Sequence, residues 1–198
     1  MRPKNLEMET AIRTVALRII AEEGLENLTM QKLAKAVNIS PRTIYIKYEN
    51  KEDLLVKLFI DEVLGAYEKD TLADFNPNVE FAEGVGKLWS NIFHYLKSNK
   101  HAFALLLYGK SSPLLSKAYK EKNIRQGDHF KPVYQFLRRH AQKGTIKDFP
   151  IDFYRTLLFS PLLDLVTEYY DHQERSKQII TKAMLAACCQ AVIKGMIN

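Results

Sequence analysis

Within the six positions 42–47 the chain sets out Arg42, Thr43, Tyr45, Ile46 and Lys47, side chains suited to reading a nucleic-acid duplex. A guanidinium or ammonium group pairs with phosphate oxygens or a guanine edge, hydroxyls donate and accept, and a branched aliphatic group meets the thymine methyl. For Ile46 two readings stay open, a thymine-methyl contact or a surface residue without a role. Lys51 follows Asn50, a good helix N-cap, and the exposed N–H groups and positive dipole end of a helix start suit a phosphate.

Catalytic constellations are missing from the sequence. Gly84-Val85-Gly86-Lys87 has neither the spacing nor the Ser/Thr of a phosphate loop, the five histidines form no His-Glu-x-x-His pattern, and no serine stands in a Gly-x-Ser-x-Gly elbow. The expectation is therefore no enzyme, no metal site and no cofactor. Cys188 and Cys189 are adjacent in a helical pattern, so their side chains diverge by about 100° and staple nothing. They read as small packing residues in a reducing compartment.

Two short helices joined by a tight turn must position the outward row. Thr29 and Ser40 each precede an apolar-periodic run, where a side-chain oxygen accepts from an orphan N–H of the first turn. Leu28 with Leu33, and Ile39 with Ile44, have the spacing of hydrophobic staples. Pro41 falls at the first position of the second helix, where its missing N–H costs nothing. Ala36-Val37-Asn38-Ile39 forms the turn, and Asn38 tolerates a left-handed backbone. Ile44 and Tyr48, four apart, then point at Leu33, Ala34 and Val37, which leaves residues 42, 43, 45, 46 and 47 outside. This is a helix-turn-helix, whose second helix presents its N-terminal part to the major groove.

At 198 residues the chain can bury one good core, or a small domain attached to a larger one. Hydrophobic residues at 46% and charged residues at 26%, with 8 Gly and 7 Pro, exclude a loop-rich or low-complexity chain. The formal charge of +6 suits a polyanionic partner, and four of the six fall between Gln31 and Lys51, where five cations meet only Glu49. The first twenty residues include Glu7 and Glu9 and no apolar run of signal-peptide length. No stretch approaches the ~18 apolar residues of a membrane span, so a cytoplasmic protein is expected.

The fold class is all-α. Ala11, Ile12, Val15, Ala16, Ile19 and Ile20 recur at helical spacing and Gly24 stops them, predicting a first helix over about 7–23 that completes a three-helix head. A fourth helix starts at Asn50, with Leu54, Leu55, Leu58, Phe59 and Val63 as its apolar stripe. Residues 71–78 read as a linker, and helical segments follow at about 79–98, 101–109, 113–143, 151–172 and 176–197, about nine helices in all. Pro132 and Pro161 are expected to end or kink their helices, with Gly127 strengthening a break near 127–132.

The segment Ala16 to Leu55, ALRIIAEEGLENLTMQKLAKAVNISPRTIYIKYENKEDLL, closely resembles the DNA-binding head of the tetracycline-repressor (TetR) family. It shares an Ala-Glu-Glu-Gly-Leu helix end, a Thr-Met start, a Leu-Ala-Lys-Ala core, Ile-Ser-Pro, Thr-Ile-Tyr with an aromatic three residues later, and Lys-Glu-x-Leu-Leu. The resemblance implies that Thr29 and Gln31 touch the DNA backbone or a groove edge. It makes Arg42, Thr43, Tyr45 and Lys47, with Ile46 among them, the recognition-helix positions, and gives Lys51 a phosphate. Asn38 in place of the usual turn glycine, Tyr48 in place of phenylalanine, and Ile46 at a more often polar place are departures.

The resemblance further implies a repressor that binds a near-palindromic operator as a homodimer through its last two helices. A small hydrophobic or aromatic effector in the helical body would release it, acting through the helix that starts at Asn50. Residues 155–170 and 179–193 are apolar around most of their circumference, an excess that a twofold interface can absorb. The domains are then 1–49 for DNA binding and 50–198 for effector binding and dimerisation. Trp89, Phe93, Tyr108, Phe130, Tyr134 and Phe159 are candidate effector-lining rings, and His94, His129 and Asp164 polar candidates, though such residues more often serve as core and scaffold. The rival reading is the same architecture controlled by a protein partner, or acting structurally.

Overall fold

The structure, a computed structural model, describes residues 3–125, 128–173 and 178–198. Its helices fall into two compact units, one made of Met1–Tyr67 and Asn99–Arg125, the other of Glu68–Ser98 and Gln126–Asn198.

In the first unit, α1 (Pro3–Glu23) buries Ile12, Ala16, Leu17, Ile19 and Ile20 and stops at Gly24, whose φ of 91° is open to glycine and strained for other residues. Helix α1 packs on α2 (Met30–Val37) and on α7 (Lys100–Lys110), and α2 on α3 (Pro41–Tyr45). Helix α4 (Lys51–Phe59) lies against α8 (Leu114–Glu121) and continues into a π-helical turn, Ile60–Tyr67. Gly109 of α7 lies directly under the ring of Phe59, where any added Cβ would overlap it. Arg13 of α1 fastens that π-helical turn through Asp61 at 2.7 Å and Glu62 at 3.2 Å.

In the second unit, α6 (Phe81–Ser98) packs against α5 (Glu68–Thr71), α10 (Ile151–Gln173) and α11 (Lys182–Met196), while α9 (Lys131–Gln142) and α11 also meet α10. Phe81, Phe136 and His140 form a ring cluster at its centre. Burial lowers the pKa of His140, so the ring sits there neutral. Its Nε2 lies 3.1 Å from the carbonyl of Val79, and Arg139 donates to the carbonyl of Asn78 at 3.0 Å. Those contacts tie the 72–80 connection, where a linker was expected over 71–78, to α9. The Cys189 thiol is pushed up to about 11, first by burial and then by Cys188, which keeps it a neutral packing group.

Several boundaries differ from expectation for identifiable reasons. The expected 113–143 segment is two helices, α8 ending at Glu121 and α9 starting at Lys131, so Pro132 opens a helix instead of breaking one. Gly127 lies outside the described residues, as does the expected helix start at residue 176. Helix α11 begins at Lys182, where the Thr181 side chain accepts from the Met184 N–H at 3.2 Å. Helix α10 runs on through Pro161. The hydrogen bond its ring forfeits is outweighed by the burial of Leu158, Leu162, Leu163 and Val166 on the inner face. Counting α4 through α5 as one run, the described residues hold ten helices where about nine were expected. No described helix is long and apolar enough to cross a membrane.

Two glycines of α6 test the packing in opposite directions. Alanine is favoured over glycine in a helix by about 1 kcal/mol, and nothing lies within 4 Å of a Cβ added at Gly86, so Gly86→Ala is expected to stabilise. At Gly84 the new Cβ would come 2.5 Å from Cζ of Phe136, a ring at 0% exposure with nowhere to move. Overpacking of that kind costs about 1–3 kcal/mol, so Gly84→Ala should lower the thermal midpoint followed by circular dichroism. A raised midpoint for Gly84→Ala would contradict the packing.

Candidate nucleic-acid interface

The helix-turn-helix is built by the caps that its sequence announces. Thr29 Oγ1 accepts from the Lys32 N–H at 3.1 Å, Ser40 Oγ from the Thr43 N–H at 3.2 Å, and Asn50 Oδ1 from the Asp53 N–H at 2.9 Å. Between the first two, Asn38 takes φ 58° and ψ 45°. Its N–H reaches the Lys35 carbonyl and that of Ile39 the Ala34 carbonyl, at 3.2 and 3.0 Å, the paired bonds of a Schellman ending. Ala36 and Val37 still belong to α2, so the turn proper is two residues shorter than expected.

Helix α3 is short, but its hydrogen bonds carry helical geometry on to Tyr48, whose N–H donates to the Ile44 carbonyl at 2.9 Å. Ile44 and Tyr48 are buried, at 0% and 4% exposure. Burial, and next Glu9, raise the pKa of the Tyr48 phenol. The other face carries Arg42, Tyr45 and Ile46 in the open, with Tyr45 at 46% and Ile46 at 77% exposure. Thr43 is half-buried, its hydroxyl 2.8 Å from that of Ser40. Thr29 and Gln31 are exposed on the first short helix and its cap.

The lysines are placed differently from the free row that the sequence suggests. Lys47 Nζ meets Glu9 Oε2 of α1 at 2.9 Å, with only 16% of the lysine side chain exposed. Lys51 Nζ donates to the Leu25 carbonyl at 2.7 Å. Lys32 pairs with Glu23. Lys57 pairs with Asp53 at 2.9 Å and lies over the Tyr48 ring, 5.4 Å from its centre. Lys35 and Arg42 make no ion pair or side-chain hydrogen bond among the described residues. Glu9 is the residue that sequence reasoning missed. It stands 38 positions from Lys47, outside any helical spacing, so no local pattern marks it.

Comparison with known proteins supports this geometry. The family described as bacterial regulatory proteins, tetR family, matches residues 12–58. Over that segment the chain is similar to the tetR family. An uncharacterized HTH-type transcriptional regulator of Haemophilus influenzae is 32% identical over 113 residues, which cover 57% of this chain and 60% of that relative. A TetR family transcription regulator from Marinobacter aquaeolei superposes with a TM-score of 0.81 over 100% of both chains at 21% identity. The transcriptional regulator FadR from Bacillus subtilis, solved in complex with stearoyl-CoA, superposes with a TM-score of 0.69 at 21% identity, over 94% of this chain and 96% of that one.

The six candidate rings divide between the two units. Tyr108 belongs to the first unit and the other five to the second. Trp89 is buried with its indole N–H donating to the Leu158 carbonyl at 2.8 Å, a core role. Phe93 is half-buried edge-on to Tyr169, with ring centres 5.9 Å apart. Phe130, Tyr134 and Phe159 are half-buried. Phe130 holds a left-handed φ of 57° while its N–H donates to Glu68 Oε1 at 2.6 Å. Glu68 Oε2 also lies 2.7 Å from His129 Nδ1, whereas His94 and Asp164 are exposed. An open groove of about 430 Å³ lined by Arg138, Gln142, Asp148, Phe149 and Tyr154 includes none of the six.

The two faces of α3 predict opposite responses from the same residue type. Ile44→Ala removes a side chain at 0% exposure and is expected to cost about 2–5 kcal/mol. Ile46→Ala, two positions on, should change stability by less than about 0.5 kcal/mol. Chemical denaturation of both variants decides it, and equal losses would mean that α3 is rotated from the orientation described.

Proposed function

We propose that the protein is a DNA-binding transcriptional repressor that holds a near-palindromic operator as a homodimer and lets go when a small hydrophobic effector enters its helical body. The observation carrying this reading is the outward face of α3, where Arg42, Tyr45 and Ile46 stand exposed above the buried Ile44 and Tyr48. In this role residues 1–49 form the DNA-binding domain and residues 50–198 the effector-binding and dimerisation domain. Arg42 and Tyr45 reach base edges, Thr29, Gln31 and Thr43 the backbone. Lys47 and Lys51 exchange Glu9 and the Leu25 carbonyl for phosphates, and the counterions so released make affinity fall with salt.

Helices α10 and α11 are the dimer seam of this proposal. Helix α10 leaves Phe153 57% and Leu157 42% exposed one turn apart, and α11 leaves Met184 49% exposed beside exposed Ala183, Ala187 and Ala191. Small residues let a symmetry mate approach closely, and the large ones supply the apolar area. A twofold axis there would set the two reading helices about 34–36 Å apart, or a multiple of it. The likeness to FadR, solved with stearoyl-CoA, supports a long acyl chain as the effector class, and the half-buried Phe93, Phe130, Tyr134 and Phe159 are side chains of the chemistry such a chain meets.

Two measurements test the parts separately. Replacing Arg42 and Tyr45 together by alanine should weaken operator binding by at least about tenfold, since each good base contact contributes about 1–3 kcal/mol. Helicity should stay unchanged, and unaltered affinity would remove α3 from the interface. Ala187→Asp places a charge in the seam and should yield monomers by analytical ultracentrifugation, so a surviving dimer would put the seam elsewhere.

A further inference from the structure

We propose that Ile46 reads a pyrimidine carrying a 5-methyl group in the major groove, thymine in ordinary DNA. The inference deepens the assignment of α3 as the recognition helix and depends on it. Ile46 is the most exposed large hydrophobic side chain of the described residues, at 77%, on a chain that buries most of its other isoleucines. Its backbone is not loose. It has φ −67° and ψ −28°, and its N–H donates to the Arg42 carbonyl at 3.1 Å.

The next two residues are pinned, Lys47 by Glu9 and Tyr48 by burial, so the side chain projects from a fixed position. Isoleucine has no donor or acceptor. Set against a carbonyl, an amino group or a phosphate oxygen, it would strip water and return no hydrogen bond. The major groove presents one apolar group, the C5 methyl of thymine. Arg42 and Tyr45, whose side chains have no hydrogen-bond partner among the described residues, supply polar contacts next to it on the same face. Ile46 is thereby a specificity-determining residue, contributing sequence preference where a lysine or serine would contribute affinity for any duplex. Burial of one methyl group is worth about fourfold in affinity.

The test begins with the full chain selecting its preferred duplex from a random pool. Each thymine of that duplex is then replaced singly by deoxyuridine, which deletes only the methyl. Fluorescence anisotropy should show one position per half-site at which the unaltered chain loses about fourfold. Ile46→Ala should bind the thymine and deoxyuridine duplexes equally, Ile46→Val should retain part of the difference, and 5-methylcytosine at the same position should recover affinity that cytosine lacks.

The inference is overturned if no position is sensitive to the methyl in the unaltered chain. It is equally overturned if Ile46→Ala weakens all duplexes alike, the mark of a contact to sugar and phosphate. Failure to select any duplex would instead refute the recognition-helix assignment, and this inference with it.

Discussion

Burial of Ile44 and Tyr48 sets the rotation of α3 about its own axis, and every property of positions 42–47 follows from that rotation. Ile44 is at 0% exposure and Tyr48 at 4%, which turns Arg42, Tyr45 and Ile46 to the outer face. The Ser40 cap and Pro41 set where the helix starts, and the Schellman ending at Asn38 sets the angle at which it leaves α2. A helix this short has too few internal hydrogen bonds to be stable alone. Its orientation is a property of packing, and the caps decide its ends.

The charge of the head is less free than its count implies. Lys47, Lys51, Lys32 and Lys57 each have a partner, three of them a carboxylate. Each bond is worth little at a surface in water, so it orients more than it stabilises. Two consequences matter for recognition. Under the proposed function, Lys47 and Lys51 would have to leave these partners to reach phosphates. The unpaired outward groups, Arg42, Tyr45 and Ile46, are of the kinds that distinguish bases, whereas the paired ones would read only phosphate.

Close backbone approach and ring packing shape the rest of the chain. Gly109 admits Phe59 in the first unit, and Gly84 admits Phe136 in the second. Around Phe136, the neutral His140 ring and the Arg139 contacts to the 78–79 carbonyls turn a connection without helical periodicity into a fastened segment. The break expected near Pro132 lies between α8 and α9, and α10 continues through Pro161. Pro132 proved to be a helix start, where proline is at home, and Pro161 is carried through by the apolar face of α10.

Much of the local chemistry was legible in the sequence where partners lie within about five residues, although the Thr181 cap and the helix start at Pro132 were not. The caps at Thr29, Ser40 and Asn50, the left-handed Asn38, the glycine stop and the inward pair of α3 all depend on such spacing, and all were readable. The all-α class and the order of helices followed from periodicity in the same way. Contacts between residues far apart in the chain were not readable. Glu9 on Lys47, the Leu25 carbonyl on Lys51, Trp89 on the Leu158 carbonyl and the scatter of the six candidate rings between two units were decided by tertiary packing. The physical reason is that a periodic pattern shows which face of a helix is apolar, whereas the partner of a side chain depends on how separately encoded helices meet.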